Sequence, residues 1–457
     1  MEKIKKAAAS KDALFSWKGK VPFGTSIYLA LQHLVAMIVG CVTPSIIIAN
    51  LIGLPQEERV MLIQASLVMS AISTFIQLFP IGKKFGAGLP VILGVSFAYL
   101  PSMQAIATDG GGIAAIMGAT FVGGIVALIV GIFVKKIRRL FPPVITGTVV
   151  FTIGLSLYPT AINYMAGGAA NTYELVVETK HLTPALVYGS WQNWLIAIIT
   201  LAIVMVLNNR AKGVCKLASI LIGMICGYII AAMFGMVDLS GIASAAWFSA
   251  PRVLHFGIKF DFAACVAMGL LFAINAIQAI GDFTATTVGG FDRDPSDDEL
   301  QGGIIGYGIS NMLCSLFGSL PTATYSQNVG IVTTNKVVNR SVFALTGGFL
   351  VIAGISPKFA AILTTIPQCV LGGATITVFS TIAMTGMKLI ASQDFSARNT
   401  TIVGLSAALG VGISQASASL SQFPDSFTMI FGKSPVVIAT LMAVLLNLVL
   451  PKEKTNK

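Results

Sequence analysis

Apolar runs separated by short polar or Gly- and Pro-containing breaks fill the chain, and most approach the ~20 residues that a bilayer-spanning helix needs. They begin near residues 24, 60, 90, 113, 143, 191, 215, 262, 303, 327, 343, 367, 399 and 435. The runs near 90–103 and 327–340 are short and interrupted. With both counted, the pattern predicts an all-α polytopic membrane protein of fourteen transmembrane segments.

The two interrupted runs share a character. Leu89-Pro90-Val91-Ile92-Leu93-Gly94-Val95-Ser96-Phe97 and Leu320-Pro321-Thr322-Ala323-Thr324-Tyr325-Ser326-Gln327-Asn328-Val329-Gly330 both open on Leu-Pro and continue through β-prone residues. Each reads as a short strand leading into a half-helix. Unpaired strand backbone inside a bilayer is prohibitively costly. Leu89–Gly94 and Leu320–Tyr325 are therefore predicted to pair with each other, antiparallel and mid-membrane, ahead of half-helices 3 and 10. A second echo joins Pro142 and Gly147 to Pro367 and Gly372, again about half a chain apart. Seven spans per half is an odd number, so the second half enters from the opposite side. This is the 7+7 inverted repeat of many secondary transporters, which bind substrate where the broken helices meet.

Composition agrees: 55% of the residues are hydrophobic and 10% charged, too apolar for a soluble globular protein. The net charge of +11 does not indicate nucleic acid, because the basic residues sit in short groups beside the spans. They set topology instead. Lys83 and Lys84, then Lys135, Lys136, Arg138 and Arg139, then Arg210, Lys212 and Lys216, fall on the side of the lysine-rich N-terminus, with Lys452, Lys454 and Lys457. Both termini are expected in the cytoplasm, with no removable signal peptide, in a multi-pass plasma-membrane protein. Glu57, Glu58, Asp109, Glu174 and Glu178 mark the outer side, and Asp292–Glu299 a solvated cytoplasmic connector. The six cysteines are scattered singly and read as small core residues. No metal or cofactor is expected.

Few polar residues lie within the spans. Gln327 and Asn328 are adjacent carboxamides at bilayer depth, each offering donors and an acceptor that complement a cyclic imide or amide edge. Phe97 offers a flat face to a planar ring. Ser326 belongs to the same polar run, whose bland role would be helix capping. Asp282 is the one acidic residue well inside a span, a functional candidate by default or a helix-clamping acceptor. Gln278 lies four residues earlier on the same face and cannot carry a proton. His33, beside Gln32 in the first span, reads foremost as a structural donor and secondly as a titrating group. His181 and His255 fall in outer loops.

These residues resemble the nucleobase–ascorbate transporters, also called the nucleobase:cation symporter-2 family, in its bacterial xanthine/uric acid permease branch. The resemblance rests on Gln32-His33 with Thr43-Pro44, on Gln327-Asn328-Val329-Gly330, on Phe141-Pro142-Pro143-Val144-Ile145-Thr146-Gly147, and on Ile366-Pro367 with Leu371-Gly372-Gly373. It runs from about residue 22 to 451. It implies cytoplasmic tails at 1–22 and 452–457. It also implies a substrate-holding core domain (23–140 and 261–362) and a gate domain (141–260 and 363–451) against which the core moves in an elevator-like way. Proton-coupled import of a base by a homodimer is implied as well. Phe97, Gln327, Asn328 and Asp282 fall on the family's positions, with Ser96, Tyr325 and Ser326 beside them at the site. Gln278 stands where members have a Glu tied to proton coupling. Tyr307 stands where xanthine-type members have an Asp, Ser96 replaces an Asn or small residue that tunes purine selectivity, and Asn335-Lys336 replaces Thr followed by a basic residue or Gly.

The substrate expected is a purine such as xanthine or uric acid, with uracil or another pyrimidine as the alternative. Coupling is open among three schemes: a proton carried by Asp282 or His33, Na⁺ held by Asp282 with hydroxyls such as Thr284 and main-chain carbonyls, or no coupling. A channel lacks its ring of charges or repeated filter, and an enzyme lacks any Ser/His/Asp, HExxH or paired-carboxylate motif.

Overall fold

The computed structural model describes residues 13–19, 21–82, 84–134, 142–424, 427–432 and 434–451. Lys83, residues 135–141 and the basic residues of both tails other than Lys18 lie outside the described residues. The first half comprises α1 (Phe23–Ile52), α2 (Gln56–Leu78), β1 (Leu93–Val95), α3 (Leu100–Thr108), α4 (Gly112–Ile132), α5 (Pro143–Met165), α6 (Trp191–Arg210) and α7 (Ser219–Met233). The second comprises α8 (Phe262–Phe291), α9 (Asp297–Leu316), β2 (Thr322–Thr324), α10 (Ser326–Asn335), α11 (Arg340–Gly354, continued by Pro357–Thr364), α12 (Gln368–Ala391), α13 (Ala397–Gln415) and α14 (Pro435–Val449). Among the described residues, seven helices are long and apolar enough to cross a membrane. The α11 pair, bent by 79°, makes an eighth span. The others are the two half-helices, the shorter apolar α7 and α14, and the more polar α9 and α13.

The helix starts follow local chemistry. Pro143 and Pro435 sit in the first helical turn and Pro367 immediately before α12, where a missing N–H costs nothing. Ser296 and Glu299 close a capping box on α9. In α1, Pro44 interrupts the backbone ladder, and the Thr43 hydroxyl turns back to Val39 O at 2.7 Å.

The inverted repeat is visible in the packing. α4 lies on α8 and α9, as α11 lies on α1 and α2; α6 packs on α12, as α13 packs on α5. At the centre α5 and α12 run against each other through glycine. A Cβ on Gly147 would fall 2.9 Å from Gly386 O, and one on Gly372 would fall 2.3 Å from Met165 N. The Pro/Gly echo in the sequence thus marks two equivalent ends of one helix seam, where small residues let backbones touch. Gly386 allows even less: its Cβ would meet Phe151 N at 2.2 Å. Backbone cannot step aside, so Gly386→Val is expected to cost about 1–3 kcal/mol or more through overpacking. A lowered melting temperature of the purified protein in detergent checks this.

The predicted strand pair is present. Leu93, Gly94 and Val95 lie opposite Thr324, Ala323 and Thr322 in an antiparallel two-stranded sheet. The first strand is shorter than the Leu89–Gly94 expectation and ends one residue later. Pro90 has no donor, and Val91 N turns back to Leu89 O at 2.8 Å, which keeps residues 89–91 out of the ladder, while Ile92 O accepts from Tyr325 N at 3.0 Å just beyond the strand. Neighbouring helices satisfy the rest. Thr74 Oγ1 accepts from Leu93 N (3.1 Å) and donates to Leu93 O (3.2 Å). Asn311 accepts from Thr322 N (2.8 Å) and donates to Thr322 O (3.1 Å). All six cysteines are free, but only Cys41, Cys314 and Cys369 are core residues; Cys215 is exposed, and Cys226 and Cys265 are half-buried.

Candidate functional site

The segments that follow the two strands line one cavity. β1 delivers Ser96 and Phe97, and β2 delivers Tyr325, Ser326 and Gln327 at the first turn of α10. These residues, with Gln278 of α8, line one side of a cavity of about 220 Å³; Val150, Ile153, Thr381, Ile382 and Thr385 of α5 and α12 line the other. Val150, Gln278, Ser326 and Thr385 also line a wider space of about 670 Å³. That space runs past Asp282 and Thr284 toward Pro142, Pro143 and Val288.

Each polar side chain has a distinct assignment. Asp282, 8% exposed, accepts from Ser326 Oγ at 2.8 Å through one carboxylate oxygen and from Thr324 Oγ1 through the other. It therefore ties α8 to both ends of the β2–α10 junction. The Tyr325 hydroxyl donates to Val95 O at 2.6 Å, tying the two broken segments together. Its ring lies over a glycine, since a Cβ on Gly94 would fall 2.6 Å from the ring. The Ser96 hydroxyl accepts from Ala98 N at 3.2 Å, capping the turn that starts at Phe97. Phe97 packs edge-on against Phe379 of α12, ring centres 5.0 Å apart.

Gln278 and Gln327 differ from these: neither side chain has a hydrogen bond among the described residues, and both face the cavity. The amides of Ser326 and Gln327, first in α10, lack intrahelical acceptors and carry the positive end of its dipole. The site thus offers two unspent carboxamides and a helix N-terminus around an apolar slot.

Four candidates sit elsewhere. Asn328 turns away from the cavity: its Nδ2 lies 3.1 Å from His33 O and 3.1 Å from His33 Nδ1. Adjacent residues on a helix point about 100° apart, so only one of Gln327 and Asn328 can face the slot. His33 is consumed by that contact and by Phe343, 4.7 Å between ring centres. Tyr307 is fully buried behind the strands, its hydroxyl bonded to that of Tyr99. Thr284 borders only the wider space, and its hydroxyl donates to Ile280 O at 2.7 Å rather than to Asp282. Sequence reasoning missed the opposing wall. Val150, Thr381 and Thr385 look like ordinary span residues, and only the α5–α12 seam turns them toward the strands.

The described residues contain no group of three or more His, Cys, Asp or Glu side chains placed to hold a metal ion. The acceptors around Asp282 are already engaged by hydroxyl donors.

The fold is shared with solved transporters. The transmembrane domain of the cyanobacterial bicarbonate transporter BicA superposes with a TM-score of 0.57 at 18% identity, covering 93% of this chain and 98% of that one. SLC26A9 gives 0.59 at 12% identity over 98% of this chain and 70% of that one. Sequence relatives extend over nearly the whole length. The uric acid permease PucK of Bacillus subtilis is 34% identical, covering 94% of this chain and 96% of its own. The xanthine permease XanQ of Escherichia coli is 30% identical over 97% of this chain and 95% of its own. A family model described as the permease family matches residues 24–419. This chain is a multi-pass membrane permease and belongs to the nucleobase–ascorbate transporter family.

Proposed function

We propose that the protein is a secondary-active transporter that carries a purine base such as xanthine or uric acid across the plasma membrane by alternating access. The observation that carries this reading is the pair of free carboxamides, Gln278 and Gln327, facing one slot beside Phe97. A purine presents alternating N–H donors and C=O acceptors around a flat ring. Two carboxamides can read that edge, and the α10 amides favour its electron-rich oxygens. The uric acid and xanthine permeases among the relatives support a purine.

The two walls of the slot support a division into a core of α1–α4 with α8–α11 and a gate of α5–α7 with α12–α14. All the specific polar groups come from the first set; the second supplies a smooth wall of aliphatic side chains and threonines. Such a wall makes few directional bonds, so the core can slide along it with the base in place. On one side the two sets are latched: Ser102 to Ser434 at 2.7 Å, Thr160 to Gln104 at 3.3 Å and Tyr164 to Ile47 O at 3.4 Å. On the other the wider space opens between α5 and α8. The positive charges of Lys84, Arg210, Lys212 and Lys216 support a cytoplasmic open side, and with it an inward-open state.

A thermal-shift screen of the purified protein against xanthine, uric acid, hypoxanthine, guanine, uracil and ascorbate tests the reading. A ligand at about 100 times its Kd stabilises by ~2.7 kcal/mol, enough to move the melting temperature by several degrees. Stabilisation by a purine is expected, and no response to any base would sink the proposal.

Gln278 decides coupling. An amide at this position neither gains nor loses a proton at physiological pH, so uptake is expected to respond little to a proton gradient. Gln278→Glu puts a carboxyl in both spaces and is expected to make uptake in proteoliposomes depend steeply on an inward proton gradient. Strong protonophore-sensitive accumulation by the unmodified protein would move the proton site to Asp282 or His33.

A further inference from the structure

A second cavity, of about 360 Å³, lies at the latched end of the molecule, and none of its lining residues belongs to the slot. Its wall is polar. Asn50 and Arg59 come from the ends of α1 and α2 that meet there, Asn171 and Lys180 from the connection after α5, and Gln368 from the first turn of α12. It therefore straddles the two helix sets. Just inward of Asn50, one turn back along α1, the Tyr164 hydroxyl reaches Ile47 O and bars the way.

Arg59 is half-buried, and its Nε donates to Leu54 O at 2.6 Å, which fixes the plane of the guanidinium. Its two terminal nitrogens have no partner among the described residues, and no carboxylate forms an ion pair with it there. Asp238, the one acidic side chain on the cavity wall, accepts from Ser240 N at 2.9 Å. Two cations against one anion leave a net positive site. An oriented guanidinium fork with both ends free is built for a flat, delocalised anion that it can grip bidentately. The carboxamides of Asn50, Asn171 and Gln368 around it suit a ligand that also carries neutral N–H and C=O groups. A phosphate dianion would use only their N–H donors, leave their carbonyl oxygens largely unmatched and be repelled by Asp238.

We infer that this cavity is an outer capture site for the anionic form of a flat heteroaromatic base, such as the uric acid monoanion, held between Arg59 and Lys180 before the latch opens. The inference rests on the base-carrier reading and adds a second, charge-selective station to it. Capture at the mouth raises the local concentration of base in front of the barrier, and it favours anionic over neutral bases in a way the uncharged slot does not.

Equilibrium dialysis of radiolabelled uric acid with the full-length purified protein at neutral pH separates the two stations. Two classes of binding are expected. Gln327→Ala weakens one by roughly tenfold to a hundredfold. Lys180→Gln and Arg59→Gln weaken the other, Arg59→Gln by about tenfold or more, and both leave binding of neutral hypoxanthine unchanged. The Lys180 side chain is exposed and makes no hydrogen bond or ion pair among the described residues, so its variant reports even if Arg59→Gln fails to fold. Arg59→Lys keeps the charge without the fork and is expected to recover only part of the affinity. A single class, weakened in Gln327→Ala and untouched by the outer variants, would overturn the inference and leave the carrier reading standing. Absence of uric acid binding while xanthine still binds would overturn the inference alone, and absence of binding by any purine would overturn both. Displacement of the outer class by inorganic phosphate or phosphatidylglycerol more readily than by bases would also refute the assignment.

Discussion

Asp282→Ala is expected to weaken purine binding by about a hundredfold or more. The carboxylate takes no part in the cavity's free hydrogen-bonding capacity; it holds Thr324 at the end of β2 and Ser326 at the start of α10. Those two residues bracket Tyr325 and set the direction in which Gln327 leaves the helix. Hydrogen bonds to a charged group contribute ~1.5–3 kcal/mol each, and the loss of both leaves the buried Thr324 hydroxyl and the half-buried Ser326 hydroxyl without that acceptor. The first turn of α10 then has no fixed position relative to α8, and Gln278 and Gln327 no longer face one ligand together. Asp282→Asn retains one good acceptor and is expected to fall between the parent and the alanine variant. Isothermal titration with the base that scores best in the thermal screen checks the order. Equal affinity in all three proteins would show that the junction needs no such tie.

Gln327→Ala is expected to weaken binding by roughly tenfold to a hundredfold without lowering the stability of the ligand-free protein. Its side chain makes no hydrogen bond among the described residues, so truncation breaks nothing internal, whereas an unpaired polar group on the bound base costs ~1–3 kcal/mol. The contrast with Asp282→Ala is informative: that variant loses both stability and affinity, this one affinity alone. If Gln327→Ala binds every base as the parent does, Gln327 leaves the site.

The strand pair and the repeat were legible because they are written locally. Leu-Pro openings, β-branched residues and a membrane's intolerance of unpaired backbone leave few alternatives at 89–97 and 320–330. Helix starts near Pro143, Trp191, Phe262 and Pro435 follow from proline placement and from breaks in hydrophobicity. What hydropathy cannot carry is rotation about a helix axis. It assigns Gln327 and Asn328 equally to bilayer depth, yet one faces the slot and the other is bound to His33. Partner choice was likewise hidden: Asp282 pairs with Thr324 and Ser326 across the fold, not with nearby Thr284, whose hydroxyl is satisfied within its own helix. The wall opposite the strands left no signal because Val150, Ile153 and Thr381 are ordinary residues made important by the close approach of α5 and α12.

The measurement that bears most directly on the central claim is counterflow in proteoliposomes. Vesicles containing the purified protein and loaded with unlabelled xanthine or uric acid are diluted into labelled base, and internal label is followed with time. The account predicts saturable, transient accumulation of label, recovered with unchanged mass, and its near-complete loss in Gln327→Ala. Label entering no faster than in protein-free vesicles, with a base that the protein demonstrably binds, would contradict it.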